Sequence, residues 1–188
     1  RPFGKDKGSE MVKLNIMKLL NEKYGIVEAD FLSAELEMVP AFKARDIGFD
    51  RSLIGSYGHD DRVCAYPSVA AAFAVTAPKY TSVTVITDKE EIGSDGNTGL
   101  HSAFLKHFIA DIAATQGLRG RDVLRASECL SADVNAGFDP TYPSVHDKLN
   151  AARLNKGIVV TKYTGSRGKS STNDANAEFM AKIRNLFD

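Results

Sequence analysis

The residues best suited to chemistry in this sequence are acidic and fall in three groups. Gly58-His59-Asp60-Asp61-Arg62 precedes an Ala-rich stretch. Asp88-Lys89-Glu90-Glu91-Ile92-Gly93-Ser94 follows a β-prone run, and Ser131-Ala132-Asp133-Val134 closes another. In open α/β sheets, ligands lie beyond the carboxyl ends of the strands. Carboxylates gathered there repel one another unless a cation neutralises them, and a pair of divalent metals is the usual answer. Adjacent residues near a strand end point to different sides. One carboxylate of Glu90-Glu91 can therefore coordinate a metal while the other stays free as a general base for water. Each group also has a plainer reading. An acidic pair is often just solvated, Asp60-Asp61 suits a helix N-terminus, and Asp133 suits a turn. The coincidence of all three favours a site.

The elements that must carry these groups are legible in outline. Residues 10–24 read as an amphipathic helix, with Val12, Ile16, Leu19 and Leu20 on one face and Gly25 at its end. Ala34 to Val39 reads as a strand. Residues 61–76 read as an Ala- and Val-rich helix, and Thr81 to Ile86 as a strand buried on both faces. Residues 98–116 carry Leu100, Phe104, Phe108, Ile109 and Ile112 at helical spacing. Ala126 to Val134 and Ile158 to Tyr163 read as further strands. Asn173 to Phe187 reads as a closing helix, with Ser171, Thr172 and Asn173 as cap candidates. This alternation predicts an α/β fold with a mostly parallel sheet. A boundary is expected near Gly55–Gly58, because residues 1–50 pattern differently.

Composition narrows the function classes. The 188 residues include 24 Lys+Arg and 24 Asp+Glu, so there is no basic excess of the kind nucleic-acid binders carry. A hydrophobic content of 43% argues against disorder and supplies material for one core. No apolar run approaches a membrane span, and no signal peptide opens the sequence. Two cysteines outside any metal-knuckle spacing, Cys64 and Cys129, suit a reducing cytosol. The expectation is therefore a cytoplasmic protein with no membrane and no nucleic-acid partner.

Other reactive residues have plainer readings. His59 lies next to the first acidic group, while His101 and His107 fall inside a predicted helix. His146 follows the third group and either lines the cleft or is an ordinary loop residue. Gly165-Ser166-Arg167-Gly168-Lys169-Ser170 sits between a predicted strand and helix, but its spacing is too short for a phosphate-binding P-loop. Met11, Met17 and Met38 suit packing.

The three acidic strings, extended to Gly58-His59-Asp60-Asp61-Arg62-Val63-Cys64-Ala65-Tyr66, resemble the central motifs of the aspartyl-aminopeptidase family, the dizinc exopeptidases of metallopeptidase family 18. Leu154-Asn155-Lys156-Gly157-Ile158-Val159-Val160 resembles the strand that follows them. The resemblance implies a three-layer α/β zinc-peptidase core with a mostly parallel or mixed central sheet. Residues 1–50 would return from a smaller β-containing dimerisation domain, and residues 51–188 would form the middle of the catalytic domain.

It further implies release of N-terminal, acidic residues from peptides by metal-activated water. Asp61 would bridge two zinc ions, Glu91 would bind one and Asp133 the other. Glu90 would be the general base. Lys162 would attract an acidic substrate side chain or be solvated on an edge strand, and His146 would line the substrate cleft. Cobalt or manganese could replace zinc. The family assembles from dimers into a dodecamer, so a homo-oligomer is expected.

The family's two histidine-ligand motifs have no counterpart here. The expectation is an interior part of a longer polypeptide, inactive alone. Carboxylates without histidine favour a harder ion than zinc. The competing expectations are a structural assembly subunit of the same fold, and a phosphate-ligand binder using Gly165–Ser170.

Overall fold

The computed structural model describes residues 10–163 and 173–188. The chain divides into two units, Arg1–Tyr57 and Gly58–Asp188.

In the first unit, helix α1 (Met11–Tyr24) ends where Gly25 takes a left-handed φ of 74° and its N–H donates to Asn21 O at 2.8 Å. The helix forms where its periodicity predicts. Its apolar face remains open, however, with Val12 69% and Leu19 51% exposed. Helix α2 (Glu28–Phe31) begins where the Val27 N–H donates to Asp30 Oδ2 at 3.0 Å, and Lys13 of α1 pairs with Glu28 at 3.2 Å. The expected strand from Ala34 to Val39 is irregular backbone. The unit's sheet is a short antiparallel hairpin of β1 (Arg45–Ile47) and β2 (Leu53–Gly55). Asp46 lies opposite Ile54, and the connection is tied by Arg51 Nε to Asp46 Oδ2 at 2.7 Å.

In the second unit, α3 (His59–Ala74) opens irregularly. Asp60 and Asp61 have non-helical ψ angles of 109° and 47°, so regular helix begins only after them. Backbone then runs without regular structure to a single 3-10 turn, Glu90–Ile92. The helix expected over 98–116 is shorter, as α4 (Phe104–Ala114), because residues before it are drawn into a closed loop by backbone bonds to Ser94 and Asp88. Helix α5 (Gly120–Ala126) follows and packs on α4. Gly120 sits against Ala110, and Ala113 is only 2% exposed. Small side chains at this contact let the two backbones approach closely. Helix α6 (Ala177–Phe187) starts later than expected. Its cap is Asn176, whose Oδ1 accepts from Phe179 N–H at 2.7 Å, and not Asn173. The other cap candidates, Ser171 and Thr172, and the Gly165–Ser170 stretch lie outside the described residues.

The expected strands Thr81–Ile86, Ala126–Val134 and Ile158–Tyr163 are not strands among the described residues. Ala126 ends α5, and the third segment makes one isolated bridge, Tyr163 to Asp174. The physical reason is that β structure exists only by pairing. Composition shows that a segment is prone to extend, not that a neighbour is there to receive it. Val85 and Val160, both 40% exposed, mark the open faces that result. No helix among the described residues is long and apolar enough to cross a membrane.

Candidate metal centre

Gly58 fixes the approach to the first acidic group. Its φ is 81°, and a Cβ there would lie 1.9 Å from Arg62 Nη1. At that φ any side chain is strained, which favours glycine, whereas the contact is with the mobile end of Arg62, which can swing aside. Arg62 folds back over it, with Nη1 donating to Gly58 O at 3.4 Å. Its positive charge therefore goes to a backbone oxygen. The peptide bond between Asp60 and Asp61 is cis.

The irregular start of α3 brings three carboxylates together. Asp60, Asp61 and Asp133 each offer an oxygen, all within 4.8 Å of one another. Asp60 and Asp133 are exposed and Asp61 is half-buried. Asp133 is steadied by accepting the N–H of Val134 on Oδ1 at 2.7 Å. Asp61 Oδ1 is buried and accepts no hydrogen bond. A buried carboxylate oxygen without a donor is costly unless a cation answers it. Three carboxylates offering hard oxygen donors, one of them with an unpartnered buried oxygen, fit a divalent metal.

Neighbouring groups register the same negative field. The Cys64 thiol is pushed up to about 11, first by burial, then by its hydrogen bond to Asp61 and by the charges of Asp61, Asp133 and Asp60. Glu90 is raised above the ordinary carboxylate range, first by burial and then by Asp133, Glu91, Asp60 and Asp61. The sequence reading missed Cys64, although its position one helical turn past Asp61 was a usable signal. Of this trio the sequence reading named Asp61 and Asp133, and the structure brings Asp60 beside them.

Glu90 and Glu91 sit on the 3-10 turn, entered through Lys89 at φ 67°. Glu90 is within electrostatic reach of the carboxylate trio, whereas Glu91 is not among the three whose oxygens converge. Of the described histidines, none joins the cluster. His101 Nδ1 lies 3.4 Å from Asp95. His146 Nε2 accepts the Asp139 N–H at 3.3 Å and tilts against the Phe138 ring. Lys162 is engaged by Asp174 at 2.5 Å and by Ala175 O at 2.7 Å. Its ammonium is held in the charged form chiefly by that Asp174 contact.

Comparison with known proteins gives the chain's family. Residues 2–188 match the family described as Peptidase_M18, aminopeptidase I zinc metalloprotease. A probable M18 family aminopeptidase 1 of Clostridium acetobutylicum is 53% identical over 189 residues, 98% of this chain and 41% of that protein. Its Thermotoga maritima namesake is 48% identical over 184 residues, again covering 41% of that protein. The crystal structure of an M18 family aminopeptidase from Thermotoga maritima superposes with a TM-score of 0.85 at 46% identity, covering all of this chain and 42% of that one. That of aminopeptidase I from Clostridium acetobutylicum gives 0.83 at 54%, with 97% and 40% covered. The chain thus shares the fold of these structures and spans about two-fifths of its relatives' length.

Proposed function

The chain belongs to the M18 family of zinc metalloproteases, and from that premise we propose that the full-length protein is a metallo-aminopeptidase releasing N-terminal residues from peptides. The observation that carries the reading is the convergence of Asp60, Asp61 and Asp133, with Glu90 in their field.

The Asp60–Asp61 pair and Asp133 would hold the metal, and Glu91 would complete the carboxylate share of a two-ion centre. When bound, such ions polarise a carbonyl and lower the pKa of water. The protein's own part falls to Glu90. It takes a proton from the attacking water and delivers it to the leaving amine. The raised proton affinity of Glu90 supports that role, because a base must hold the proton long enough to hand it on. Lys162 is engaged by Asp174, which supports a structural part for it over capture of an acidic substrate residue. His146, bonded within its own loop, is likewise better supported as a loop support than as a cleft residue. The open apolar segments support the expected three-layer core, completed by further strands, and association into a homo-oligomer.

The test is hydrolysis of aminoacyl-p-nitroanilides by the full-length protein, after chelation and after return of Zn²⁺, Co²⁺ or Mn²⁺. Metal-dependent release is expected. Absence of hydrolysis with every metal and every aminoacyl group would overturn the reading.

A further inference from the structure

The acidic turn is carried by a loop closed on itself. Asp88 N–H donates to Thr98 O at 3.2 Å, Ser94 N–H to Lys89 O at 2.8 Å, and His101 N–H to Ser94 O at 3.2 Å. Inside that ring Glu90 O accepts from Gly93 N–H at 2.9 Å, and Lys89 O also accepts from Ile92 N–H at 3.3 Å. The ring's two limbs touch at one place. Gly99 is buried there, and a Cβ on it would lie 2.1 Å from Ser94 O, 2.5 Å from Ser94 C and 2.7 Å from Asp95 O. These are backbone atoms, which cannot swing aside as a side chain can.

We propose that Gly99 is a positioning residue, whose missing side chain sets the place of Glu90. The inference rests on the aminopeptidase reading for its activity readout. The path is short. A methyl group at Gly99 must push Ser94 O from 2.1 Å to at least 3.0 Å, since real Cβ atoms come no closer. Ser94 is bonded through its N–H to the carbonyl of Lys89, the residue before Glu90. A displacement of that size therefore passes into the turn that holds both glutamates. Misplacing a catalytic group by about 1 Å can cost on the order of 100-fold in rate. The other loop glycines are constrained differently: Gly93 and Gly96 would meet nothing within 4 Å, and it is their left-handed φ of 95° and 89° that favours glycine.

The experiment uses the full-length protein with Gly99→Ala, Glu90→Gln and the double variant, each checked for folding by circular dichroism. We expect Gly99→Ala to lower kcat roughly 100-fold, with KM little changed. On the Glu90→Gln background it should add almost nothing, because both losses run through one group. Retained kcat, or losses that multiply, would overturn the proposal. If Gly99→Ala does not fold, His101→Pro removes the N–H that holds Ser94 O, and the same pattern is required of it. If the parent protein has no peptidase activity, the functional reading fails separately. Amide exchange then decides the positioning claim: faster exchange at Ser94 and His101 in Gly99→Ala upholds it, and unchanged exchange refutes it.

Discussion

Asp61 and Asp133 come from different parts of the chain, one at the irregular start of α3 and one beyond α5, yet each presents a carboxylate oxygen within 4.8 Å of the other. Like charges at this spacing repel one another, and a bound cation relieves that repulsion. The chain should therefore bind Zn²⁺ or Mn²⁺ with measurable heat. Asp61→Asn and Asp133→Asn should each weaken that binding ~10-fold or more, on the scale by which even outer-shell changes act. Asp60→Asn should do the same. Unchanged titration curves for all three would remove the trio as a metal site.

Glu90→Gln in the full-length protein keeps the shape of the side chain and deletes its basicity. Turnover should drop by ~10² to 10⁴, while metal content measured on the same sample stays at the parent level. A variant with near-parent kcat would mean that another group moves the proton.

The two cysteines should differ in reactivity. Cys129 is exposed, whereas Cys64 is half-buried and its thiol is raised to about 11 by burial, Asp61 and the nearby charges. At pH 8 only about one part in 10³ of such a thiol is ionised, and the thiolate is the nucleophile. Iodoacetamide should label Cys129 well before Cys64 in the metal-free chain. Equal rates at the two positions would contradict the placement of Cys64 beside Asp61.

Acid should loosen the segment between Asp139 and Asn150. Asp139 is held below its ordinary 3.8, first by the Thr141 N–H, and Asp147 likewise by the Leu149 N–H. Carboxylates that bind protons more weakly when folded stabilise the fold above their unfolded pKa. They lose that effect as pH falls through their lower folded values. The Thr141 and Leu149 amides should therefore stay protected from pH 7 to about 4 and open below it. Opening already between pH 7 and 5 would assign the transition to another group, and His146, which accepts the Asp139 N–H, would be the first to examine.

Asn176→Ala should destabilise α6 by ~1 kcal/mol, the usual cost of deleting an N-cap, and Asn176→Ser should restore most of it. Amide exchange along Ala177–Phe187 is the readout. No difference between the two variants would show that the 2.7 Å bond to Phe179 N–H contributes little.

Local order explains what could be read from the sequence and what could not. The helices were legible, α1 and α4 from apolar periodicity, α3 from its Ala-rich composition and the end of α1 from Gly25, because helical bonds are internal to the segment. The acidic groups were legible as strings, and what the strings did not show is that Asp60 converges with Asp61 and Asp133. Helix α5 was hidden. It is seven residues long, opens on Gly120, and is stabilised by its contact with α4 more than by its own composition. The expected strands failed for the opposite reason, since pairing partners are not written in the segment that needs them. Gly99 was the least legible feature. Nothing in Asn97-Thr98-Gly99 announces that Ser94 lies against it.

The unpaired run Thr81–Ile86 carries one last consequence. A row of β-branched residues with open backbone edges is a template for self-stacking, whether in a nascent chain or in a concentrated solution. Val83, Val85 and Ile86 remain 38–57% exposed, and the run itself contains no charge. Lys79 precedes it, and Asp88 and Lys89 follow. These flanking charges act as gatekeepers that oppose in-register association of copies. Neutralising them should turn this segment into an aggregation seed.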